Sequence, residues 1–393
     1  MGIKQKANLA ELINACDIIV TVGSGGVGKT TTAAAISLYN ALQGRRTLAL
    51  TIDPAYRLAD SLGIPEIGNV EKEIDLSGFG TKENHSKKGE LWAMMLEAKR
   101  TFDNMVEKYA PSKESAQKIF ANSFYQHISG ALSGSQEYMA IEKLSELHEE
   151  KRFELIVLDT PPTAHALDFL TAPERMLAFL DQSVLQWFLR PYLTLSKLGF
   201  KTFKMSSTTL LKLGEKITGA EVIRDFLEFF ESFDGMYEGF KQRSETVNNI
   251  LHRPETGFLL VATPQKTQLE EAMAFHSRLK SMGITLMGVV VNRATVLPND
   301  GKINADEIEK ELESAFAKIN LEFALIRELV QQITETTKIF AHIMAEEEKA
   351  LENFSEKLGR DVPLFIIPRF EEDIHDLQGL YRFASVLFSE NFA

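Results

Sequence analysis

The chain has 393 residues, 44% hydrophobic and 25% charged, which is the composition of a globular protein large enough to bury one or two cores. Its formal net charge of -12 argues against nucleic acid as the main partner, because a surface that neutralises phosphates would be basic. With one cysteine, Cys16, no apolar run of roughly 18 residues and no signal-peptide pattern in residues 1–14, we expect a cytoplasmic protein without internal disulfides or a membrane span.

The first predicted elements are a lead-in helix (7–15) and an apolar strand (17–22), followed by the glycine-rich loop GSGGVGKT at 23–30 and a helix that reaches Leu42. Strand, glycine loop and helix form the context of a phosphate-binding P-loop, in which backbone N–H groups cradle phosphates, the lysine reaches the β- and γ-phosphates and the final hydroxyl binds Mg²⁺. The residues expected to bind nucleotide here are Gly25, Gly26, Val27, Gly28, Lys29, Thr30 and Thr31.

Further apolar runs predict strands at 46–52, 91–96, 153–158, 258–262, 286–291 and 364–367, with helical stretches between most of them. Residues 65–90 are polar and glycine-rich, and we expect an exposed loop there. The alternation predicts an α/β fold: a mostly parallel P-loop NTPase sheet with helices on both faces, an inserted α-helical subdomain and a helical hairpin near the C-terminus.

This pattern divides the chain into segments of the ATPase core and helical segments. The expected boundaries are 1–96, 151–170, 253–302 and 359–393 for the core, and 97–150, 171–252 and 303–358 for the helical segments.

The segment 303–358 has a heptad pattern of apolar residues, interrupted by Thr337 and Glu347. As one helix it would span about 85 Å, yet it connects two strands of one sheet, so we predict a hairpin with its turn near Asn320 or within 334–337. The hairpin either packs against its own domain or protrudes as a coiled coil or subunit contact.

Two aspartates follow predicted strands, where parallel sheets bind ligands. Asp159 ends an apolar run in the manner of a Walker B motif, and we expect its carboxylate to hold Mg²⁺, directly or through water. Asp53 follows the strand after the P-loop helix, a strand that commonly neighbours the first. Its spacing alone fits a residue facing the γ-phosphate and a turn-forming Asp-Pro pair equally well.

Three blocks resemble the ArsA-type ATPases, the family of the arsenite-pump ATPase and of the ATPase that targets tail-anchored membrane proteins: residues 25–31, 53–55 and 159–165. The likeness is greatest to bacterial relatives with one ATPase unit per chain. It implies an ATP- and Mg²⁺-dependent hydrolase in which Asp53 positions the attacking water and Lys29 acts on the phosphates. It also implies that Asn292 contacts adenine and that the loop holding Pro368 and Arg369 packs on the base.

The sequence departs from this family at Ser24, where the wider family has a lysine that crosses to the partner's nucleotide. Another cation such as Arg57 or Arg369 replaces that lysine, a paralogous subunit supplies it, or turnover is slow. With Cys16 alone, neither a thiolate arsenite site nor a C-x-x-C zinc clamp is available.

The segment 173–240 is rich in Met, Phe, Trp and Leu. In the targeting ATPase the corresponding helices line a groove for a hydrophobic client, and here such side chains either form a groove of that kind or pack on one another.

The expected function is that of an ATPase which dimerises around nucleotide, with itself or with a paralogous ATPase, and handles a protein client or an export or envelope partner. The alternatives are a nucleotide-dependent positioning switch of the ParA/MinD type and a low-activity subunit of a heterodimer. The missing thiols make arsenite pumping the least favoured function.

Overall fold

The computed structural model describes residues 8–52, 57–64, 67–79, 89–123, 125–126, 135–161, 170–175, 177–178, 225, 228–229, 236–297, 305–316, 323–359 and 361–388. Asp53, residues 162–165 of the block 159–165 and most of the apolar segment 173–240 therefore lie outside the described residues.

Eight strands form one sheet in the order β3-β4-β2-β5-β1-β6-β7-β8. Their bounds are β1 (Ile18–Gly23), β2 (Arg46–Thr51), β3 (Lys72–Ile74), β4 (Glu90–Met95), β5 (Leu155–Asp159), β6 (Thr256–Ala262), β7 (Leu286–Ala294) and β8 (Leu364–Pro368). All neighbouring pairs are parallel except β3 with β4. The predicted fold class, a mostly parallel sheet with helices on both faces, is confirmed.

Helices connect these strands. In the described part of the chain they are α1 (Leu9–Asn14), α2 (Lys29–Leu42), α3 (Arg57–Ser61), α4 (Ala98–Tyr109), α5 (Lys113–Ala121), α6 (Ser135–Glu149), α7 (Tyr237–His252), α8 (Lys266–Ser281), α9 (Ala305–Phe316), α10 (Phe323–Leu358) and α11 (Leu377–Phe388). Among the described helices, none combines the length and hydropathy that a bilayer crossing requires.

The sheet separates two hydrophobic cores, because successive side chains of a strand point to opposite faces. Ile18 and Val20 of β1 belong to the core covered by α4, α6, α8 and the end of α10. Ile19 belongs to the core covered by α2 and α11. The buried alanines 33–35 of α2 are small, which lets this helix approach the sheet closely and brings its first turn to the carboxyl end of β1.

Two predictions about the first half of the sheet are wrong. The expected loop 65–90 contains the antiparallel edge strand β3, whose three residues are too few to show a period and are stabilised by pairing with β4. The strand β2 does not neighbour β1, because β5 lies between them and pairs with both. The tip of β2 therefore adjoins Asp159 rather than the phosphate loop.

The C-terminal helical segment contains α9 and α10, and the predicted turn near Asn320 lies between them, outside the described residues. The alternative turn within 334–337 is wrong, since α10 runs unbroken through it. The heptad positions Ile326 and Val330 are buried near the start of α10, and Leu351, Phe354 and Leu358 near its end. Between them, no residue from 331 to 346 is buried by the described part of the chain, so the middle of the seam is open.

Candidate nucleotide-binding site

The backbone of the glycine loop adopts conformations that favour glycine. Gly26 and Gly28 have φ values of 76° and 99°, in the left-handed region. A Cβ at Gly28 would also lie 2.2 Å from the Asn292 amide nitrogen, so the loop passes against β7 with no room for a side chain. Helix α2 starts directly after Gly28, which aims its first N–H groups at the loop and makes a cradle suited to phosphate.

Lys29 is held across this loop. Its ammonium group donates to the Ser24 carbonyl oxygen at 2.9 Å, and the side chain is buried. The charge is thereby fixed over the cradle, where a phosphate would meet it.

Three side chains meet at the tips of β2, β5 and α2. The hydroxyl groups of Thr30 and Thr51 donate to the same oxygen of Asp159, at 2.7 and 3.1 Å. Asp159 is 1% exposed, so its charge is sheltered and its orientation set by these two donors. The two predicted metal ligands, Thr30 and Asp159, are thus in direct contact.

The side-chain atoms that meet at Asp159 are hydroxyl and carboxylate oxygens, which are the ligands that Mg²⁺ prefers. The described residues contain no group of three or more His, Cys, Asp or Glu side chains placed to hold a metal ion. A magnesium ion here would complete its coordination with phosphate oxygens and water, as it does in most nucleotide sites.

A pocket of about 310 Å³, which we name the lysine pocket, opens beside the loop. Its lining consists of Gly26, Gly28, Lys29, Thr30, Thr31, Arg57, Asp60, Ser61, Thr160, Arg293 and Ile374. Gly26, Gly28, Lys29, Thr30 and Thr31 therefore face one cavity, which Gly25 and Val27 do not line. Arg57, named from the sequence as a replacement cation, faces it too.

A second pocket, of about 140 Å³, adjoins the other part of the loop. Its lining consists of Gly25, Gly26, Val27, Thr263, Pro264, Gln265, Gln268, Arg293, Glu347 and Arg369. The predicted residue Arg369 faces this pocket.

Asn292 and Pro368 lie at the carboxyl ends of β7 and β8, which are neighbours. The Asn292 amide donates to the Val27 carbonyl oxygen at 2.9 Å and accepts from the Arg293 N–H at 2.9 Å. This side chain, 5% exposed, is engaged with the loop backbone. Neither Asn292 nor Pro368 lines the lysine pocket, whereas Arg293, the residue after Asn292, and Ile374, in the segment after β8, do.

Arg293 and Glu347 are the residues that sequence reasoning missed. Arg293 has a φ of 60°, rare for a residue with a side chain, and its guanidinium donates to the Gly26 carbonyl oxygen at 3.2 Å. A basic residue directly after Asn292 at a strand end was the available signal. Glu347 interrupts the heptad seam, and its carboxylate accepts from the N–H and hydroxyl of Thr295, at 2.7 and 3.2 Å.

Ser24 is buried and donates to a carboxylate oxygen of Glu271 on α8 at 2.5 Å. Ser24, which stands where the wider family has a lysine, is therefore hydrogen-bonded to a helix of its own chain.

Residues 16–323 match the family described as anion-transporting ATPases, well over half of the chain. The chain belongs to this ArsA-type family. It is accordingly a P-loop ATPase, an enzyme that binds and hydrolyses ATP.

Individual members of the ArsA-type family are distant relatives of the chain. A protein of Aquifex aeolicus named as a candidate arsenical pump-driving ATPase is 27% identical over 307 residues, covering 75% of this chain and 85% of the relative. ATPase GET3C of Arabidopsis thaliana is 27% identical over 288 residues, covering 69% and 65%. An ATPase ASNA1 homolog of Plasmodium falciparum is 22% identical over 387 residues, covering 97% and 89%.

Proposed function

We propose that ATP and Mg²⁺ occupy the lysine pocket, and that ATP-driven dimerisation couples hydrolysis to the handling of a hydrophobic protein client or an export or envelope partner. The observation that supports this nucleotide site is that Lys29, Thr30 and Thr31 line one cavity. The Thr30 hydroxyl also donates a hydrogen bond of 2.7 Å to the Asp159 carboxylate. When bound, the metal would supply charge neutralisation between the β- and γ-phosphates.

In this proposal the loop N–H groups and Lys29 bind and orient the phosphates, and Asp159 and Thr30 hold the metal side of the site. Asp53, adopted from the family resemblance, places the attacking water, because β2 ends beside Asp159. Arg57, which lines the same pocket, or Arg369, which lines the second pocket, replaces the missing family lysine in the same chain, and Arg293 is a further cation that lines both pockets. Asn292, Pro368 and Arg369 remain our proposed residues for the adenine end.

Two alternatives are weaker on specific grounds. A ParA/MinD-type switch would use a basic DNA-binding face or a basic membrane helix, whereas the net charge is -12 and α11 has one basic side chain, Arg382, and buries Leu380 and Phe383 against the core. An arsenite pump would need clustered thiolates. The single thiol, Cys16, is buried before β1, at the opposite end of that strand from the loop, and burial raises its pKa. The low-activity subunit stays an alternative because of Ser24.

The test uses Asp53→Asn, which removes one charge and keeps the side-chain shape. We expect ATP affinity in calorimetry to stay within about threefold of the wild type and turnover to fall by about 10²-fold or more. Wild-type turnover in this variant would remove Asp53 from its proposed role.

The same variant tests the client. Loaded with ATP it should retain apolar protein partners that Lys29→Ala, which lacks the phosphate-binding ammonium, does not retain. If both variants retained the same proteins, the coupling of nucleotide to client would be wrong, although the nucleotide site itself would stand.

A further inference from the structure

Arg293 lies between the two pockets beside the glycine loop. Among the described residues, only Gly26 and Arg293 line both of them. The Arg293 guanidinium donates to the Gly26 carbonyl oxygen at 3.2 Å, so this hydrogen bond lies where the lysine pocket adjoins the second pocket. Arg293 is exposed, which leaves its guanidinium accessible to a ligand that enters either pocket.

The residues assigned above to the nucleotide are divided between the two pockets. Lys29 and Thr31 line the lysine pocket, whereas Gly25 and Arg369 line the second pocket. A single nucleotide that contacts both sets of residues has to pass the hydrogen bond that lies between the pockets. The guanidinium that makes this bond is therefore placed to contact the nucleotide.

The Arg293 guanidinium has no carboxylate partner. It forms no ion pair within the described part of the chain, where its acceptor is the Gly26 carbonyl oxygen. A phosphate group offers a guanidinium an opposite charge and two oxygens for parallel hydrogen bonds, neither of which a carbonyl oxygen provides. A phosphate at this boundary would thus compete successfully with Gly26 for the guanidinium.

The backbone at Arg293 is held in a conformation that a side chain disfavours. Its φ of 60° is in the left-handed region, where glycine is favoured. Hydrogen bonds fix the residues that follow: the Ala294 carbonyl oxygen accepts from the Arg369 N–H at 2.9 Å, and the Thr295 N–H donates to Glu347 at 2.7 Å. Glycine would adopt this backbone without strain, so the fold does not explain an arginine here, and strain of this kind is found at binding sites.

We propose that Arg293 is a nucleotide-binding residue: when ATP binds, its guanidinium exchanges the Gly26 carbonyl oxygen for a phosphate oxygen, and this exchange joins the two pockets into one site. The role rests on the proposed function, because it requires ATP in the lysine pocket. The new bond brings a second positive charge of the same chain to the phosphates, beside Lys29, in a loop that has Ser24 in place of the family lysine.

Calorimetry of the full chain with Mg²⁺ and a non-hydrolysable ATP analogue tests the phosphate contact. Arg293→Gln removes the charge without relieving the backbone strain, and it should weaken binding of the analogue at least about tenfold. The matched control is Arg327→Gln, because Arg327 is an exposed arginine that lines neither pocket. This control should change the affinity less than about twofold.

Inorganic tripolyphosphate, which has neither base nor ribose, shows which part of the nucleotide Arg293 contacts. In competition with the analogue, its affinity for Arg293→Gln should fall by about the same factor as that of the analogue, because the lost contact is to phosphate. If the variant weakened the analogue but not tripolyphosphate, the guanidinium would contact the base or the ribose, and the proposed exchange would be wrong.

Urea unfolding of the nucleotide-free protein tests whether Arg293 serves the fold instead. Arg293→Gly removes the side chain and relieves the left-handed strain, so the unfolding midpoint should stay the same or rise while the affinity for the analogue falls. Lys151→Gly is the control for strain, because Lys151 has a φ of 52° between α6 and β5, and its midpoint should respond in the same direction with unchanged affinity. A lower midpoint in Arg293→Gly with unchanged affinity would make Arg293 a structural residue and overturn the proposal.

The two proposals fail in different ways. Wild-type protein that binds no analogue would contradict the proposed function, and the role of Arg293 would be rejected with it. Binding of the analogue by the wild type that Arg293→Gln leaves unchanged would contradict the role of Arg293 alone.

Discussion

Gly28 shows how a single residue joins the loop to the sheet. Its positive φ favours glycine, and a Cβ at this position would overlap the Asn292 amide nitrogen. Gly26 has a positive φ as well, but a Cβ there would meet nothing within 4 Å. A substitution at Gly26 therefore introduces backbone strain alone, whereas a substitution at Gly28 adds steric overlap with Asn292.

We predict that Gly26→Ala destabilises the fold by about 1–2 kcal/mol, the cost of a left-handed conformation for a residue with a side chain. Gly28→Ala should destabilise it further, because the new methyl group displaces the Asn292 amide from the Val27 carbonyl oxygen. Urea unfolding measures both, and equal losses in the two variants would contradict the packing of Asn292 against the loop.

At the scale of elements, α6 and α7 are joined by a buried ion pair. The Arg243 guanidinium donates to Glu142 at 2.8 Å and to Glu149 at 2.7 Å, and the side chains of Arg243 and Glu142 are 12% and 7% exposed. Burial raises the pKa of the Glu142 carboxyl, and the Arg243 charge opposes that rise.

Arg243→Leu should destabilise the chain by about 3–5 kcal/mol near neutral pH, because it leaves Glu142 buried without its counter-charge. A carboxyl with a raised pKa contributes stability below its ordinary pKa and loses that contribution as the pH rises through its folded value. The loss in Arg243→Leu should therefore be larger at about pH 8 than at about pH 5.

The matched control is Arg382→Leu, which breaks a pair with Glu372 whose side chains are 58% and 75% exposed. This variant should change the unfolding free energy by about 0.5 kcal/mol or less at both pH values. A pH-independent loss in Arg243→Leu, or equal losses in the two variants, would contradict the buried pair.

Helix α10 illustrates what an element-scale pattern can predict. Its heptad positions are buried at both ends, by α9 and by the core on one face of the sheet, and exposed in the middle, where Ile333 and Phe340 are 37% and 41% exposed. The period predicted helical structure but neither the position of the turn nor the partner, because the same apolar spacing serves packing within a chain and between chains.

For the whole molecule, we predict that ATP with Mg²⁺ doubles the mass seen by light scattering, because a phosphate loop with exposed Gly25 and Gly26 has space for a second subunit over the nucleotide. Lys29→Ala, which weakens the phosphate cradle, should stay at the mass of the nucleotide-free protein. An identical mass with and without nucleotide in the wild type would contradict nucleotide-driven dimerisation.

The sequence by itself determined the features that depend on neighbouring residues: the glycine loop between strand and helix, the buried strands, and the aspartate that ends β5. These follow from local conformation and from apolar runs, so they could be predicted without knowledge of the partners. The heptad period likewise predicted helical structure in 303–358, but it left the position of the turn open between two places.

Only the tertiary structure decided which strands adjoin and which side chains share a cavity. The position of β5 between β1 and β2, the bond from Asn292 to Val27 across 265 residues of sequence, and the inclusion of Arg293 and Glu347 in the second pocket come from contacts between distant segments. No local pattern records such contacts, because they depend on how the sheet orders its strands and on which helices cover each of its ends.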